Sequence, residues 1–546
     1  MNLIQDAWLP VIRRDGTHAT IAPWELGLQN GVSPPIALNV PRADLRAAGH
    51  ELLIGMYATA LAVSGLTRKR WEDLQHRQVA AQDIRPMLEV LAAAFNLDGP
   101  APRFMQASSL ADQNASLKKD EATKLSIASI LLDMPDNITN EPPKPSKNRD
   151  WFETIPQGDF GLTATALSLY AHQAYATEGG RGHCVGYRGG GPLTTLVLPK
   201  DGCTLLEMIL ANVPMLNVPV AVASLPFIFW WMPGRWAMPG PAPDHVHSLH
   251  PFFATPRPVW LDFKDAQGLC AIMGQEGSRF ATGYWRTLPA TNYGGCMTRH
   301  FLSPYNPART DKSGQQKSPE RSVRTPPGGI GWYHHMGFAV MASGGVIPAG
   351  CVEQFRHTMD GQARLLVTGF ISKQNKINGF VEETIPLMVC RDVVARDRYD
   401  DAVQRLVSAS VLAFSALTSA VWYSLTSRDR GADSSKITLV RALDRLFWSR
   451  TQSAFEGLLM DFGQHTADGT PMGAWEDKWR KFLMQQAETI FGEMVCFSPA
   501  SAKIVKVNDK TWGVKMAKQR RSMMVMFAGK SKAGEAFFTQ LGLPIS

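Results

Sequence analysis

The sequence predicts an α+β protein in which a large, irregular mixed N-terminal domain precedes a C-terminal helical bundle. At 546 residues the chain exceeds one comfortable hydrophobic core. Before residue 384 glycine and proline are frequent, and strand patterns alternate with helical ones. Beyond it, long stretches with almost no proline repeat their apolar residues at helical spacing. We therefore expect domains at 1–384 and 385–546, the second a four-helix bundle.

The N-terminal domain is expected to begin with a β-hairpin and two helices. Apolar residues flank the turn signal Arg14–Gly16, which is typical of a hairpin. The apolar residues of Ala43–Val63 fall on one helix face, and a second helix is predicted near Ile84–Phe95. Mixed strand patterns further along the chain complete the irregular α+β body.

Two polar, proline-rich stretches, 134–150 and 306–329, are expected to lack regular structure. Each is either a mobile linker or a segment that becomes ordered on a nucleic acid. The second stretch carries five cations, Arg309, Lys312, Lys317, Arg321 and Arg324.

The C-terminal domain shows three helical patterns, Arg391–Leu425, Lys436–Phe462 and Met472–Cys496. The fourth helix is either Ala533–Leu541 or the basic stretch before it. Apolar stripes of this kind usually form a core, and we interpret them so. The second pattern has its stripe at Leu439, Leu443, Leu446 and Phe447.

Composition limits the class of protein. A formal charge of +8 and a pI near 9.1 suggest a polyanionic partner, although basic proteins without one are common. The seven cysteines form no C-x-x-C pair, which argues against a disulfide framework and a structural zinc site. The longest apolar run, Val218–Met232, is too short to span a bilayer and contains two prolines. We expect a soluble cytoplasmic protein with no membrane partner.

The most informative segment is Glu178–Thr195, which has seven glycines between Gly179 and Gly191. Glycine lets a backbone approach another molecule closely, and arginine adds donors suited to phosphate. The segment also carries Arg181, His183 and Arg188. It therefore indicates a contact between backbone and a polyanion, unless its glycines serve only the tight turns of a surface loop.

Enzymatic motifs are incomplete. The glycine segment has Val185 where a dinucleotide fingerprint needs its last glycine. A P-loop that includes Lys530 would need its first glycine at the position of Met524. His245, His247 and His250 fit turn histidines better than metal ligands, since the H-E-x-x-H spacing is missing. No G-x-S-x-G nucleophile elbow occurs. We expect no catalytic residue, cofactor or metal.

One nuclease-like pattern remains as an alternative. Asp244, Asp262 and Lys264 imitate the two carboxylates and the lysine that hold a metal and activate water. The pattern is short enough to arise by chance.

A basic run near the C-terminus contains a single acid, Asp509. Such a one-sided excess favours a phosphate-backbone contact over a solvated face. Its cations are Lys503, Lys506, Lys510, Lys515, Lys518, Arg520, Arg521, Lys530 and Lys532.

Landmarks across the chain resemble the CasA family, the large subunits of the type I-E Cascade complex of CRISPR defence. They are the opening Asn2–Val11, then Pro41–Leu45 before a helix, Arg103–Gln106 in place of P-F-M-Q, and Gly186–Thr195. The C-terminal bundle is also expected in that family. Each landmark is loose, but their order and spacing together are specific.

The resemblance implies binding without bond-breaking. The N-terminal domain would read the protospacer-adjacent motif of double-stranded target DNA through the minor groove and start strand separation. CRISPR RNA would supply most of the specificity, as in other RNA-guided effectors. The implied partners are the target duplex, CRISPR RNA, the other Cascade subunits and a separate helicase-nuclease that cuts.

The family's site residues can be placed by motif. The glycine loop falls at Gly180, Arg181, Gly182 and His183, where Arg181 departs from the family and could read groove width or a phosphate. Arg286 corresponds to a lysine finger. Gln374, at a hairpin tip with Asn375 beside it, corresponds to a glutamine wedge.

The bundle in this family leans on the displaced strand and neighbouring subunits, which would involve Lys515, Lys518, Arg520 and Arg521. The family's mobile loop corresponds to about 126–150. Some relatives carry a cysteine zinc cluster near 268–274, where this chain has only Cys270, so no zinc is expected. Besides the nuclease, a non-specific RNA-binding scaffold subunit remains an alternative.

Overall fold

The computed structural model describes fourteen stretches of the chain. These are residues 1–106, 123–133, 158–177, 184–216, 219–233, 240–286, 290–310, 316–326, 328–341, 345–373, 376–425, 433–467, 474–497 and 512–545. They form two compact units. Unit 1 comprises residues 1–329, 347–358 and 363–384, and unit 2 comprises 330–346, 359–362 and 385–546. The predicted α+β class with C-terminal helices is confirmed.

The described strands and helices are these. The strands are β1 Leu9–Arg13, β2 His18–Ile21, β3 Pro35–Leu38, β4 Thr123–Ser126, β5 Phe160–Gly161, β6 Leu193–Leu198, β7 Gly240–Pro241, β8 Val259–Leu269, β9 Glu276–Arg286, β10 Thr291–Asn292, β11 Tyr305–Asn306, β12 Arg309–Thr310, β13 Gln316–Ser318, β14 Arg321–Ser322, β15 Gly361–Lys373 and β16 Lys376–Val389. The helices are α1 Ala43–Val63, α2 Arg68–His76, α3 Ala81–Glu89, α4 Leu162–Ala174, α5 Leu205–Ala211, α6 Leu225–Ile228, α7 His335–Phe338, α8 Gly350–Thr358, α9 Val393–Leu425, α10 Asp433–Ala467, α11 Trp475–Gly492, α12 Trp512–Phe527 and α13 Lys532–Leu541.

The first predicted elements are confirmed, with one difference. β1 and β2 pair antiparallel as the hairpin, and α1 spans the predicted residues. The helix predicted near Ile84–Phe95 corresponds to α3, which begins three residues earlier and ends at Glu89, before a short 3-10 turn. The Phe95 carbonyl accepts a hydrogen bond from the Leu3 amide at 2.8 Å. That long-range pairing replaces the last turn of helix which local periodicity predicted.

Helix α1 is the centre of unit 1. The sequence predicted one apolar face, but nearly all residues of α1 are buried, including the polar Asp44, His50 and Glu51, because other elements enclose the helix. It contacts α3, α4 and α5. An aromatic cluster packs at one side of this core, with ring centroids 4.9–6.3 Å apart. Its members are Phe95, Phe104, Phe229, Trp231 and Phe253.

Three of the described sheets have three or more strands. β1 pairs with β2 and β3, and all three strands are antiparallel. β9 pairs antiparallel with β8, β4 and β5. β15 lies between β16 and β6, with Gly369 opposite Leu193 and Arg364 opposite Leu198. The third sheet therefore joins the end of the glycine segment directly to the long hairpin formed by β15 and β16.

The expectation that 306–329 lacks regular structure is corrected for its described part. β11 pairs with β14 and β12 with β13, both antiparallel. The Leu193 amide donates to the Val323 carbonyl at 2.9 Å, which ties this segment to β6. Polar composition predicted too little apolar burial for a core, but a hairpin can be held by backbone pairing. The stretch 134–150 lies outside the described residues.

Unit 2 is built around α9, which contacts α10, α11, α12 and α13. Both candidates for the fourth helix are helical, as α12 and α13. Trp479 Nε1 donates to Ser410 Oγ at 3.1 Å, and Trp332 stacks on Phe455 with centroids 4.1 Å apart. Length and composition alone would allow α9 to cross a membrane, but its inner face is packed against these four helices.

Buried histidines make the stability of the fold dependent on pH. Burial lowers the pKa of His250 to about 3 and that of His50 to about 4, from an ordinary value of 6.5. Between the lowered and the ordinary pKa, the unfolded chain binds a proton that the folded chain does not. This contribution to stability is therefore complete above pH 6.5 and is lost as the pH falls toward 3.

We predict that the free energy of unfolding decreases below pH 6.5 by up to about 1.4 kcal/mol per pH unit for each such histidine. Urea unfolding at a series of pH values measures this slope. His250→Gln should remove up to one proton from the difference in proton binding between the unfolded and folded chain, and so reduce the slope by up to about 1.4 kcal/mol per pH unit. His76→Gln, at an exposed position of α2, is the control and should leave the slope unchanged. Equal slopes in the wild type and His250→Gln would contradict the assignment.

Candidate nucleic-acid interface

The structure fixes both ends of the predicted glycine loop. After α4, the Ala176 carbonyl accepts a hydrogen bond from the Gly186 amide at 3.0 Å. This bond closes residues 177–185 into a loop that begins and ends at one place. Gly180, Arg181, Gly182 and His183 themselves lie outside the described residues. The structure therefore describes the residues that flank this segment, Ala176, Thr177 and Cys184–Gly186, which we call the base of the loop.

Arg257 joins the two ends of this loop. Its Nε donates to the Cys184 carbonyl at 3.0 Å, and its Nη2 donates to the Thr177 carbonyl. Gln173 holds the backbone of Arg257 by two further hydrogen bonds, of 3.1 and 2.7 Å. Both residues are buried. Sequence reasoning missed them, because a lone arginine between two prolines carries no recognisable motif.

Arg188 has a structural role that differs from the one expected of a cation in the glycine segment. Its side chain is 1% exposed and pairs with Glu51 of α1 at 2.7 Å. Its Nη1 also donates to Thr194 Oγ1 and Ser303 Oγ, both at 2.9 Å. Desolvation opposes the charge, but Glu51 and nearby tyrosines outweigh it and raise the pKa of Arg188. Arg188 is therefore part of the core and is not available to phosphate.

The end of the glycine segment packs against the long hairpin. A Cβ added at Gly191, whose φ is +66°, would lie 2.9 Å from Ser372 Oγ and 3.0 Å from the Phe370 carbonyl oxygen. A Cβ added at Gly190 would lie 3.0 Å from the Cα of Thr177. These glycines are needed for close approach. They bring the loop's base into contact with the strand that leads to Gln374.

The predicted wedge residues, Gln374 and Asn375, lie outside the described residues. β15 ends at Lys373 and β16 begins at Lys376, and the two strands are neighbours in one sheet. Gln374 and Asn375 therefore occupy the connection of a hairpin in the sequence.

Arg286 is the last residue of β9 and is half-buried. Its Cα partners are Thr123 of β4 and Val259 of β8. Val259 follows Arg257 by two residues, so Arg286 lies across the sheet from the segment that holds the glycine loop. No described residue forms an ion pair with Arg286. The structure thus brings the base of the glycine loop into contact with the hairpin strand that leads to Gln374. Arg286 lies on a strand that pairs with β8, which begins just after Arg257.

The predicted basic contacts in unit 2 fall on α12. Lys518 and Arg521 are exposed and Lys515 is half-buried. Arg520, on another side of the helix, forms an ion pair with Glu488 of α11. The cations at 503, 506 and 510 lie outside the described residues. The outward charge of the described part of this helix is therefore carried mainly by Lys518 and Arg521.

The alternative metal site is not assembled in the described part of the chain. Asp262 forms an ion pair with Lys124 at 2.7 Å and accepts from Trp285 Nε1 at 3.1 Å. Lys264 pairs instead with Asp159 at 2.5 Å. Among the residues that the structure describes, no three His, Cys, Asp or Glu side chains are grouped as metal ligands.

Two histidines of this motif, His247 and His250, make contacts within the fold. His250 is fully buried, its Nδ1 lies 2.8 Å from the Ile228 carbonyl oxygen and its Nε2 lies 2.8 Å from the Tyr293 hydroxyl. The imidazole also stacks on Trp230, with centroids 4.0 Å apart. His247 Nδ1 accepts from the Leu249 amide at 3.1 Å, a local turn contact.

The fold combines an α+β unit, which contains both ends of the glycine loop, with a helical unit that contains the basic helix α12. The chain belongs to the CRISPR-associated protein Cse1 family, whose model matches residues 2–490. The resemblance to CasA is thereby confirmed, since the two names denote one protein in the structure of Thermus thermophilus CasA (Cse1). Helices α12 and α13 lie beyond the matched range.

Solved structures show the same fold. The Thermus thermophilus CasA structure is 16% identical with a TM-score of 0.63, covering 96% of this chain and 99% of its own. Thermobifida fusca Cse1 is 15% identical with a TM-score of 0.65, covering 100% and 99%. A chain of a CRISPR RNA-guided surveillance complex is 13% identical with a TM-score of 0.65, covering 96% and 99%. No curated protein sequence matches the chain.

We predict that Glu51→Ala lowers the free energy of unfolding by about 3–5 kcal/mol, because it leaves the Arg188 charge buried without its partner. Glu382→Ala is the matched control. It removes a carboxylate from Arg46, also on α1, but that pair is about one-third exposed and its loss should cost less than about 1 kcal/mol. Denaturant unfolding measures both values. Equal costs would contradict the role assigned to the buried pair.

A second pair of variants tests the packing between the glycine segment and the hairpin. A Cβ at Gly369 would overlap Thr325 Oγ1 and lie 3.0 Å from the Pro192 carbonyl oxygen, so Gly369→Ala should cost about 1–3 kcal/mol. A Cβ added at Gly379, on the same hairpin, would meet no atom of the described residues closer than Ile371 Cδ1 at 4.0 Å. Gly379→Ala should therefore leave the unfolding free energy unchanged or slightly higher. If Gly379→Ala destabilised the chain as much, the close approach at Gly369 would not be the cause.

Proposed function

We propose that this chain is the large subunit of an RNA-guided antiviral surveillance complex and that it recognises the protospacer-adjacent motif of double-stranded DNA. In this role it helps open the duplex for guide pairing and helps recruit a separate helicase-nuclease. Its partners are the target duplex, the CRISPR RNA and the other Cascade subunits. It binds and does not cut, uses no cofactor, and works as a soluble cytoplasmic protein.

One observation carries this proposal: the bases of the glycine loop and of the hairpin are packed together in a member of the Cse1 family. Gly191 lies against Phe370 and Ser372, and Thr177 lies against Gly190. A backbone loop and a hairpin tip supported by one base could meet neighbouring base pairs of one duplex. Contacts to base edges and a side chain inserted beside them would then act at adjacent steps.

The loop, the finger and the wedge have separate tasks. Bare backbone at Gly180 and Gly182 lies against base edges, and Arg181 adds a cation that responds to groove width or a phosphate. Arg286 contacts the duplex from the strand beside the loop's base. Gln374 inserts below the motif and separates the first base pair, which costs a few kcal/mol of unstacking that the protein contacts offset.

The basic helix α12 contributes charge without reading sequence. Lys518 and Arg521 are exposed and can contact the phosphates of the displaced strand or of a neighbouring ribonucleoprotein subunit. Because phosphate contacts respond to ion concentration, this part of the affinity should decrease steeply with salt. Motif discrimination should not, since it depends on contacts in unit 1.

The decisive experiment measures binding of short duplexes by the reconstituted guide-RNA complex, with and without this chain, at one salt concentration. The bases that flank the target are randomised. We expect the chain to confer a preference at the flank, and Gln374→Ala combined with Gly180→Asp to remove it. Lys518→Ala combined with Arg521→Ala is the control, which should weaken all duplexes alike and leave the preference intact.

Two outcomes would reject the proposal. A flank preference that ignores this chain would favour a non-specific RNA-binding scaffold subunit. Cutting of plain duplex by this chain alone, abolished by Asp262→Ala, would favour the nuclease.

A further inference from the structure

Arg257 connects parts of unit 1 that are distant in sequence. It lies between Pro256 and Pro258, immediately before β8, and it is 4% exposed. A proline on each side restricts the backbone to extended conformations. Gln173, at the end of α4, is fully buried and pairs with both the amide and the carbonyl of Arg257. The base of the Arg257 side chain is therefore held firmly.

The guanidinium is directed to the two ends of the glycine loop. Nε donates to the carbonyl of Cys184 and Nη2 to that of Thr177. Since the planar fork of arginine offers several donors in a fixed geometry, one side chain can hold two backbone carbonyls at a set separation. A second described link between these two ends is the hydrogen bond from the Gly186 amide to the Ala176 carbonyl, at 3.0 Å.

We infer that Arg257 is a positioning residue that holds the two ends of the glycine loop at a set separation and thereby supports the discrimination of the flanking motif. This inference rests on the proposed function of that loop. Arg257 touches no DNA, because it is buried beneath the loop's base. It acts through the backbone of Thr177 and Cys184, which precede and follow the segment 178–183.

Two measurements test the inference at different levels. On the full chain, Arg257→Met should accelerate trypsin cleavage after Arg181, since the variant loses the two hydrogen bonds from the guanidinium to the ends of the loop. In the reconstituted complex, the same variant should reduce the affinity ratio between duplexes with and without the preferred flank by about tenfold, the effect of losing a charge-assisted hydrogen bond. Affinity for duplexes without the preferred flank should stay the same.

The matched control is Arg103→Met. Arg103 is also partly buried, donates to the carbonyls of Gly99 and Leu261 at 2.6 and 3.2 Å, and stacks on Trp260. It contacts neither end of the glycine loop. Its loss should destabilise unit 1 without changing the affinity ratio or the cleavage after Arg181.

Arg257→Lys keeps the charge but not the planar fork, and it covers the case in which Arg257→Met does not fold. It should give values between wild type and Arg257→Met in both assays. Unchanged cleavage and an unchanged affinity ratio in a folded Arg257 variant would overturn the inference. If Gln374→Ala combined with Gly180→Asp also left the ratio unchanged, the proposed function itself would fail. If that variant removed the preference while Arg257→Lys retained it in full, only the positioning role would fail.

Discussion

The buried ion pair between Glu51 and Arg188 is the constraint on which the rest of unit 1 depends. Glu51 belongs to the enclosed helix α1, and Arg188 belongs to the glycine segment. Thr194 Oγ1 donates to Glu51 Oε1 at 2.5 Å, so the start of strand β6 is included in the same network. A charge pair without solvent is tolerated only when its hydrogen bonds are satisfied. That requirement fixes the glycine segment relative to the helical core.

Two further sets of contacts hold the chain on either side of Arg188. Before Arg188 in the chain lies the glycine loop with the predicted contacts, and Arg257 and Gln173 hold its two ends. Toward the C-terminal side, β6 pairs with β15 along six residue pairs and so aligns the hairpin that leads to Gln374. The glycine loop thus begins and ends at residues whose polar groups are buried and hydrogen-bonded.

Charge is distributed differently in the two units. Some cations of unit 1 bind groups inside the protein. Arg188 pairs with Glu51, and Arg257 donates hydrogen bonds to backbone carbonyls. In unit 2, α12 keeps Lys518 and Arg521 exposed, whereas Arg520 is balanced by Glu488. The net charge of +8 therefore overstates the positive charge that a polyanion can reach, because some cations are buried or ion-paired. Only the tertiary structure shows which cations these are.

The sequence by itself determined the α+β class, helix α1, the hairpin at Arg14–Gly16, the long helices α9 to α11 and the family. These follow from periodicity, turn chemistry and ordered landmarks, which are local or one-dimensional signals. Only the tertiary structure decided that Arg188 is buried and that Arg257 joins the ends of the glycine loop. Both facts depend on partners 73 to 137 positions away in the chain, and a one-dimensional pattern carries no information about such pairings.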